Sequence, residues 1–154
     1  MGVGSSKSKK PEEKPIKPED LKILLKISKE KCILYIEKTN SNIDKKKNEI
    51  STCLEQNNID MARAKMNNIL KDENDIEIYY LLKPFLEKLI ERCTLIVSNT
   101  ECPPEIKSIL DTVLFASTRV EIDELKTFKE KIIKKYGSDY VTNAEKNKDN
   151  SVNK

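Results

Sequence analysis

Apolar residues recur along most of this chain at spacings of three and four. Leu21, Leu25, Ser28, Cys32, Tyr35, Thr39, Ile43, Lys46 and Ile50 step along one side of a helix, and Leu24 and Ile36 widen the stripe. Pro18, Glu19 and Asp20 form a helix start, with Pro in the first turn and acids at the positive end of the dipole. No Pro or Gly interrupts the pattern before Gln56, so the spacing predicts one helix over 19–55. At 1.5 Å per residue it is about 55 Å long, the length of a hairpin arm. Gln56, Asn57 and Asn58 make a short turn, and an Asn caps the next helix. Ile59, Ala62, Met66, Ile69, Glu73, Ile76 and Tyr80 then carry a second stripe. So short a connection makes the two arms antiparallel neighbours.

The second arm changes character along its length. KDEND at 71–75 is a polar interruption, read as a bend or an exposed patch of a continuous helix. Leu81, Leu82, Phe85, Leu86, Leu89, Ile90, Cys93, Ile96 and Val97 follow as the most apolar stretch of the chain. That stretch is too broad for one partner, so further elements pack on it. Pro84 is expected to kink or restart the arm. Asn99, Thr100, Pro103 and Pro104 end it. A short helix begins at Pro104 with Ile106, Ile109, Leu110, Val113 and Leu114 on one side. A last helix over 120–136 carries Ile122, Leu125, Phe128, Ile132, Ile133 and Tyr136, closed by Gly137. The fold class is all-α: a long antiparallel hairpin with two or more short helices at its open end. The chain divides into a basic head (1–18), a helical domain (19–140) and a polar tail (141–154) whose residues 146–154 are expected to be loose.

Composition narrows the function. Charged residues make up 36% of the chain, which suits helices with one buried stripe and a wide wet face. The net charge of +3 resides in residues 1–18, and the remainder sums to zero. A basic nucleic-acid-binding body is therefore excluded. There is no His, no CxxC pair and no glycine-rich loop, and a rod offers no cleft for paired carboxylates. The expectation is a protein that is not an enzyme, with no metal and no cofactor. Cys32, Cys53 and Cys93 fall on or beside the apolar stripes and read as buried reduced thiols. The acids Asp72, Glu73, Asp75 and Glu77 read as a solvated or partner-facing patch.

The sharpest short motif is Met1-Gly2-Val3-Gly4-Ser5-Ser6, which fits the N-myristoyl acceptor pattern with Gly2 as the acylated residue. One acyl chain holds a protein only weakly, with a constant of roughly 10⁴ M⁻¹. Lys7, Lys9 and Lys10 are placed to supply a second, electrostatic attraction to anionic lipid. Lys22, Lys26 and Lys29 on one flank of the first helix extend the candidate membrane surface, and Lys45, Lys46 and Lys47 cluster near the turn. The same helix is nearly neutral, with eight lysines against seven acids.

Three stretches, in order, resemble the IST1 family, relatives of the ESCRT-III membrane-remodelling subunits. KNEISTCLEQNNIDMARAKMNNILKDE (47–73) is similar to the family's hairpin tip, with Glu49-Ile50, the 56–58 turn, Ala62-Arg63-Ala64-Lys65 and Ile69-Leu70. EIYYLLKPFLEKLIERC (77–93) resembles its Leu-rich second arm, and DELKTFKEKIIKKYGSDY (123–140) its closing helix. The resemblance implies the ESCRT-III type of core and an activity of assembly in endosomal, multivesicular-body sorting. It implies ESCRT-III subunits of the CHMP1-like kind as partners, self-assembly on a cytosolic membrane face, and indirect modulation of a Vps4-type AAA ATPase. It makes Arg63 and Lys65 candidate protein contacts. The chain departs from the family in its acylatable head. It departs again in the segment after Tyr140, which has no leucine and no evident amphipathic repeat. The competing reading is a helical adaptor or coiled-coil scaffold without lipid binding.

Overall fold

The computed structural model describes residues 16–148 and Val152. Six helices are present among them: α1 Pro18–Glu55, α2 Ile59–Glu91, α3 Cys93–Ser98, α4 Pro104–Ser117, α5 Asp123–Tyr136 and α6 Ser138–Glu145. The helices α1 and α2 are the arms of an antiparallel hairpin. Cross-arm contacts fix the register: Lys29 with Glu87, Tyr35 stacked on Tyr79, Asn40 with Tyr80, Lys46 with Asp72, and Glu49 with Lys65. From Lys29–Glu87 at one end to Glu49–Lys65 at the other, the α2 partner moves back along the chain as α1 advances, the signature of antiparallel pairing.

The turn is set by a helix cap. Asn57 adopts φ 57°, the left-handed region. The Asn58 N–H donates to the Cys53 carbonyl (2.7 Å) and the Asn57 N–H to the Leu54 carbonyl (3.0 Å), which together make a Schellman motif. Asn58 then caps α2 through its side chain, which accepts from the Met61 N–H at 3.3 Å. Asn tolerates the left-handed conformation because its side chain can hydrogen-bond locally, whereas a β-carbon without that help costs roughly 1–2 kcal/mol. Asn57→Ala should therefore lose about 1 kcal/mol in urea denaturation, and Asn57→Gly should not. An unmoved midpoint in the alanine variant would show that the turn does not depend on this cap.

Of the two readings of 71–75, the continuous helix is the one observed, and α2 runs through both this stretch and Pro84, where a kink or restart was expected. Pro84 is exposed, and so is Tyr80 four residues earlier. The carbonyl that loses its helical donor thus lies on the wet side, where water can satisfy it. The arm ends at Arg92, and α3 continues after that single non-helical residue.

One stripe assignment is off by one residue: Tyr79 is buried where Tyr80 was expected. On α1, Ile36, which widens the stripe, is buried, and Tyr35, placed on the stripe, is 38% exposed. The phenols at 35 and 79 share a stacked contact with ring centroids 4.1 Å apart. Ile59 and Met66, also assigned to the buried stripe, are about half exposed.

The core lies at the open end. Leu21 and Leu25 of α1, Leu86 and Leu89 of α2, Ile96 of α3, Leu110 and Leu114 of α4, and Leu125, Phe128 and Ile132 of α5 are at most 1% exposed. The Ser28 hydroxyl is buried there and donates to the Leu24 carbonyl at 2.7 Å. Helix α4 packs on α2, α5 packs on α1, and α6 lies across both α4 and α5. Helix α6 extends into the segment assigned to the polar tail, where Val141 and Ala144 are buried.

Candidate functional site

An apolar opening lies between α2 and α4. In this half of α2 the buried residues are Tyr79, Leu82, Leu86 and Leu89. Ile78, Leu81 and Phe85, spaced at i, i+3 and i+7, run beside them as a second stripe. Phe115 and Ala116 of α4 form the opposite wall, and Arg119 stands at the rim. The groove has a volume of about 380 Å³, and Leu81 is 62% exposed in it. Among the described residues, Arg119 is the one charged residue of the lining. Its guanidinium lies 3.9 Å from the centroid of the Phe115 ring and donates to the Phe115 carbonyl at 3.2 Å. An apolar trough with a fixed cation at its edge suits an amphipathic helix carrying an acidic residue.

The sequence-predicted site residues are placed unevenly. Gly2, Lys7, Lys9 and Lys10 lie outside the described residues. Lys26 and Lys29 line a cleft between the arms with Glu30, Glu87 and Glu91, and Lys29 pairs with Glu87 at 3.2 Å. Lys22 stands at the start of α1, close enough to Cys93 to favour its thiolate slightly. Of these three lysines, Lys29 is the one with an acidic partner on α2, so part of the flank's charge is answered across the hairpin. The cluster near the turn is divided in the same way, since Lys46 pairs with Asp72 at 2.5 Å. That pair also gives part of the acidic patch a partner across the hairpin. Lys65 is an intramolecular pair as well, 2.7 Å from Glu49, and its hydrogen bond holds the Glu49 carboxyl below its ordinary value. Arg63 is exposed between Ile59 and Met66, beside a half-exposed apolar stripe at the tip that Leu70 extends.

All four cysteines are free thiols, with Cys32, Cys53 and Cys93 buried as expected. Among the described residues no helix is long and apolar enough to cross a membrane.

The arrangement has known counterparts. The Ist1 family, described as "Regulator of Vps4 activity in the MVB pathway", matches residues 22–154. This chain belongs to the Ist1 family. An IST1-like protein of Dictyostelium discoideum is 34% identical over 118 residues, which is 76% of this chain and 32% of that protein. The chain thus spans about a third of the length of the curated relative it matches. The N-terminal domain of S. cerevisiae Ist1, solved in complex with the Did2 MIM motif, shares the fold at a TM-score of 0.76 and 18% identity. The likeness covers 89% of this chain and 77% of that one. The ESCRT-III-like helical core expected from the sequence is therefore the observed fold of this Ist1 domain.

Groove and core are linked by sequence. Leu82 and Leu86 face the buried side, while Leu81 and Phe85, one residue earlier each, remain for the groove. Charge patterning along α1 singled out lysines. The apolar wall on α2 was legible only as a stretch too broad for one partner.

Proposed function

We propose that this Ist1 domain is a non-enzymatic assembly factor. It takes a short helical segment of an ESCRT-III-type subunit into the α2/α4 groove, and through that subunit it modulates a Vps4-type ATPase in multivesicular-body sorting. The observation that carries this reading is the groove itself, with Leu81 exposed on an apolar wall and Arg119 as a charged edge. A partner helix buries its apolar face there and places an acid against Arg119. The yeast Ist1 domain held the MIM motif of Did2, which makes that peptide the natural probe. Titration calorimetry with it should give a measurable Kd. Leu81→Asp should weaken binding about 100-fold, because a buried charge then replaces an apolar anchor. Leu81 is exposed, so this variant keeps its core. Equal affinity in variant and parent would rule the groove out as the docking site.

Membrane contact belongs to the same proposal. Acylated Gly2 holds the head on a cytosolic leaflet, and Lys7, Lys9 and Lys10 add attraction to anionic lipid. Hairpins gathered there pack against like hairpins through the exposed tip residues Leu54, Met66 and Leu70, so that each copy adds a lipid contact. Since Lys29 is paired with Glu87, the head carries more of the lipid attraction than α1 does. In protein coexpressed with N-myristoyltransferase, Gly2→Ala should abolish sedimentation with acidic liposomes. Sedimentation that survives the substitution would refute the acyl tether, and a parent protein that never sediments would favour the scaffold reading.

A further inference from the structure

We infer that the hairpin tips of two copies pair antiparallel along α2 in one register, with Arg63 of each copy against Glu73 of the other and Met66 against Leu70. The inference rests on the reading that like hairpins meet through their tips, and it names the surface and the order of the contacts.

The surface follows from the pitch of α2. Ala62, Ile69 and Ile76 are buried at intervals of seven and form the seam of the hairpin. A second stripe runs beside that seam. Ile59, Arg63, Met66, Leu70, Glu73 and Glu77 step by four and three, the a and d spacing of a coiled coil. All six are exposed, with Ile59, Met66 and Leu70 at 53%, 47% and 51%. An a/d stripe left in water on an unbroken helix is a surface on which a second helix packs.

The order of residues in the stripe says which helix that is. The half nearest the turn is apolar with one cation, Arg63, and the far half carries the acids Glu73 and Glu77. Such a stripe is complementary to itself turned end for end, because an antiparallel pair sets a positions against d positions. With the two-fold axis level with Asn68, Met66 meets Leu70 of the second copy on both sides of the axis. Arg63 and Glu73 then form an ion pair at each flank.

Charge selects this register over its neighbours. A slip of one heptad toward the turn brings Ile59 against Leu70 and covers more apolar side chain. It also sets the two Arg63 guanidiniums about 4.5 Å apart along the axis, with Met66 opposite each in place of Glu73. A slip the other way packs Glu73 against Leu70 and Glu77 against Met66, which buries acids on apolar side chains. In the register centred on Asn68 the two Arg63 side chains stand about 15 Å apart, each facing an acid.

The apolar layer is only two Met–Leu pairs deep, so free domains pair weakly. Copies held by their heads on one membrane meet at a higher effective concentration, and each pairing adds a second tether.

Sedimentation equilibrium on the full chain tests the register. The parent should dimerise as its concentration rises. Arg63→Glu and Glu73→Arg each set like charges opposite one another and should weaken dimerisation at least about tenfold. The double variant Arg63→Glu with Glu73→Arg restores opposite charges in this register alone, and should return to within about twofold of the parent. Both positions are exposed, so these substitutions leave the core and the helical circular dichroism unchanged. A double variant that stays weak, with dimerisation also lost in Leu70→Glu, would overturn the register and leave the tip as the contact. Dimerisation that survives Leu70→Glu, or a parent that stays monomeric at every attainable concentration, would remove the tip contact and the pairing with it.

Discussion

Phe128→Ala should destabilise the domain by about 3–5 kcal/mol, the cost of deleting a fully enclosed aromatic ring and leaving a cavity. Phe128 is 0% exposed at the centre of the inner face of α5, with Leu125 and Ile132 one turn away on either side. It belongs to the cluster in which α1, α2, α4 and α5 meet. Leu54→Ala at the hairpin tip removes a residue that is 57% exposed and should cost no more than about 0.5 kcal/mol. The contrast decides where stability resides. If the hairpin folded as an independent rod with its own seam, Phe128→Ala would leave a stable rod, and unfolding by urea would show two steps. The expected result is a single transition at a much lower midpoint with an unchanged slope, because the arms depend on α4 and α5 to cover their open end. A change in slope, or a second transition, would show that the arms stand alone.

Much of this architecture is legible in the sequence because long helices repeat their signal many times. The bounds of α1 follow from Pro18 at one end and three polar turn residues at the other, and the structure places its ends within a residue of the expected ones. Phase is harder to read than existence. Tyr35 and Ile36 are both apolar, and the choice between them depends on where Tyr79 sits across the hairpin, which α1 alone does not encode. Small residues hide elements too: α6 buries only Val141 and Ala144, so its apolar face is two residues wide and resembles tail. Charge is the least legible property of all. Lys26 and Lys29 read as a basic flank in α1, yet Glu87 and Glu91, sixty residues away in sequence, line the same cleft. A residue's own helix tells which way it points, but the neighbouring helix tells whether its charge is spent. The groove shows the same division, since Leu81 and Phe85 announce an apolar wall while Phe115 and Arg119 give it shape and polarity.

Stability should hold level through neutral pH and fall steeply between pH 9 and 11. Burial pushes the Cys32 and Cys93 thiols up to about 11, against small opposing fields from Lys83 and Lys22. Burial also pushes the Tyr136 phenol up to about 12. It raises Tyr140 as well, with the hydrogen bond to Asp111 as a further cause. These are acids whose protonated form the fold favours. In the unfolded chain the thiols ionise near 8.5–9 and the phenols near 10. Below about pH 8 both states hold the protons and the groups have no effect on the balance. Above it the unfolded chain binds fewer protons than the folded one, so unfolding becomes more favourable as pH rises. By pH 11 the two thiols together should have removed roughly 5 kcal/mol, at 1.36 kcal/mol for each pKa unit by which burial raises them. The phenols, which begin to titrate later in the unfolded chain, should steepen the upper end of the fall. Urea midpoints measured from pH 6 to pH 11 test this directly, and Cys32→Ala combined with Cys93→Ala should flatten the curve between 9 and 10 while leaving a fall above 10 that belongs to the tyrosines. A domain equally stable at pH 7 and pH 11 would mean that these thiols and phenols reach water in the folded state. The same burial predicts that Cys32 and Cys93 resist alkylation at pH 8 until urea opens the core, since the thiolate is the reactive form.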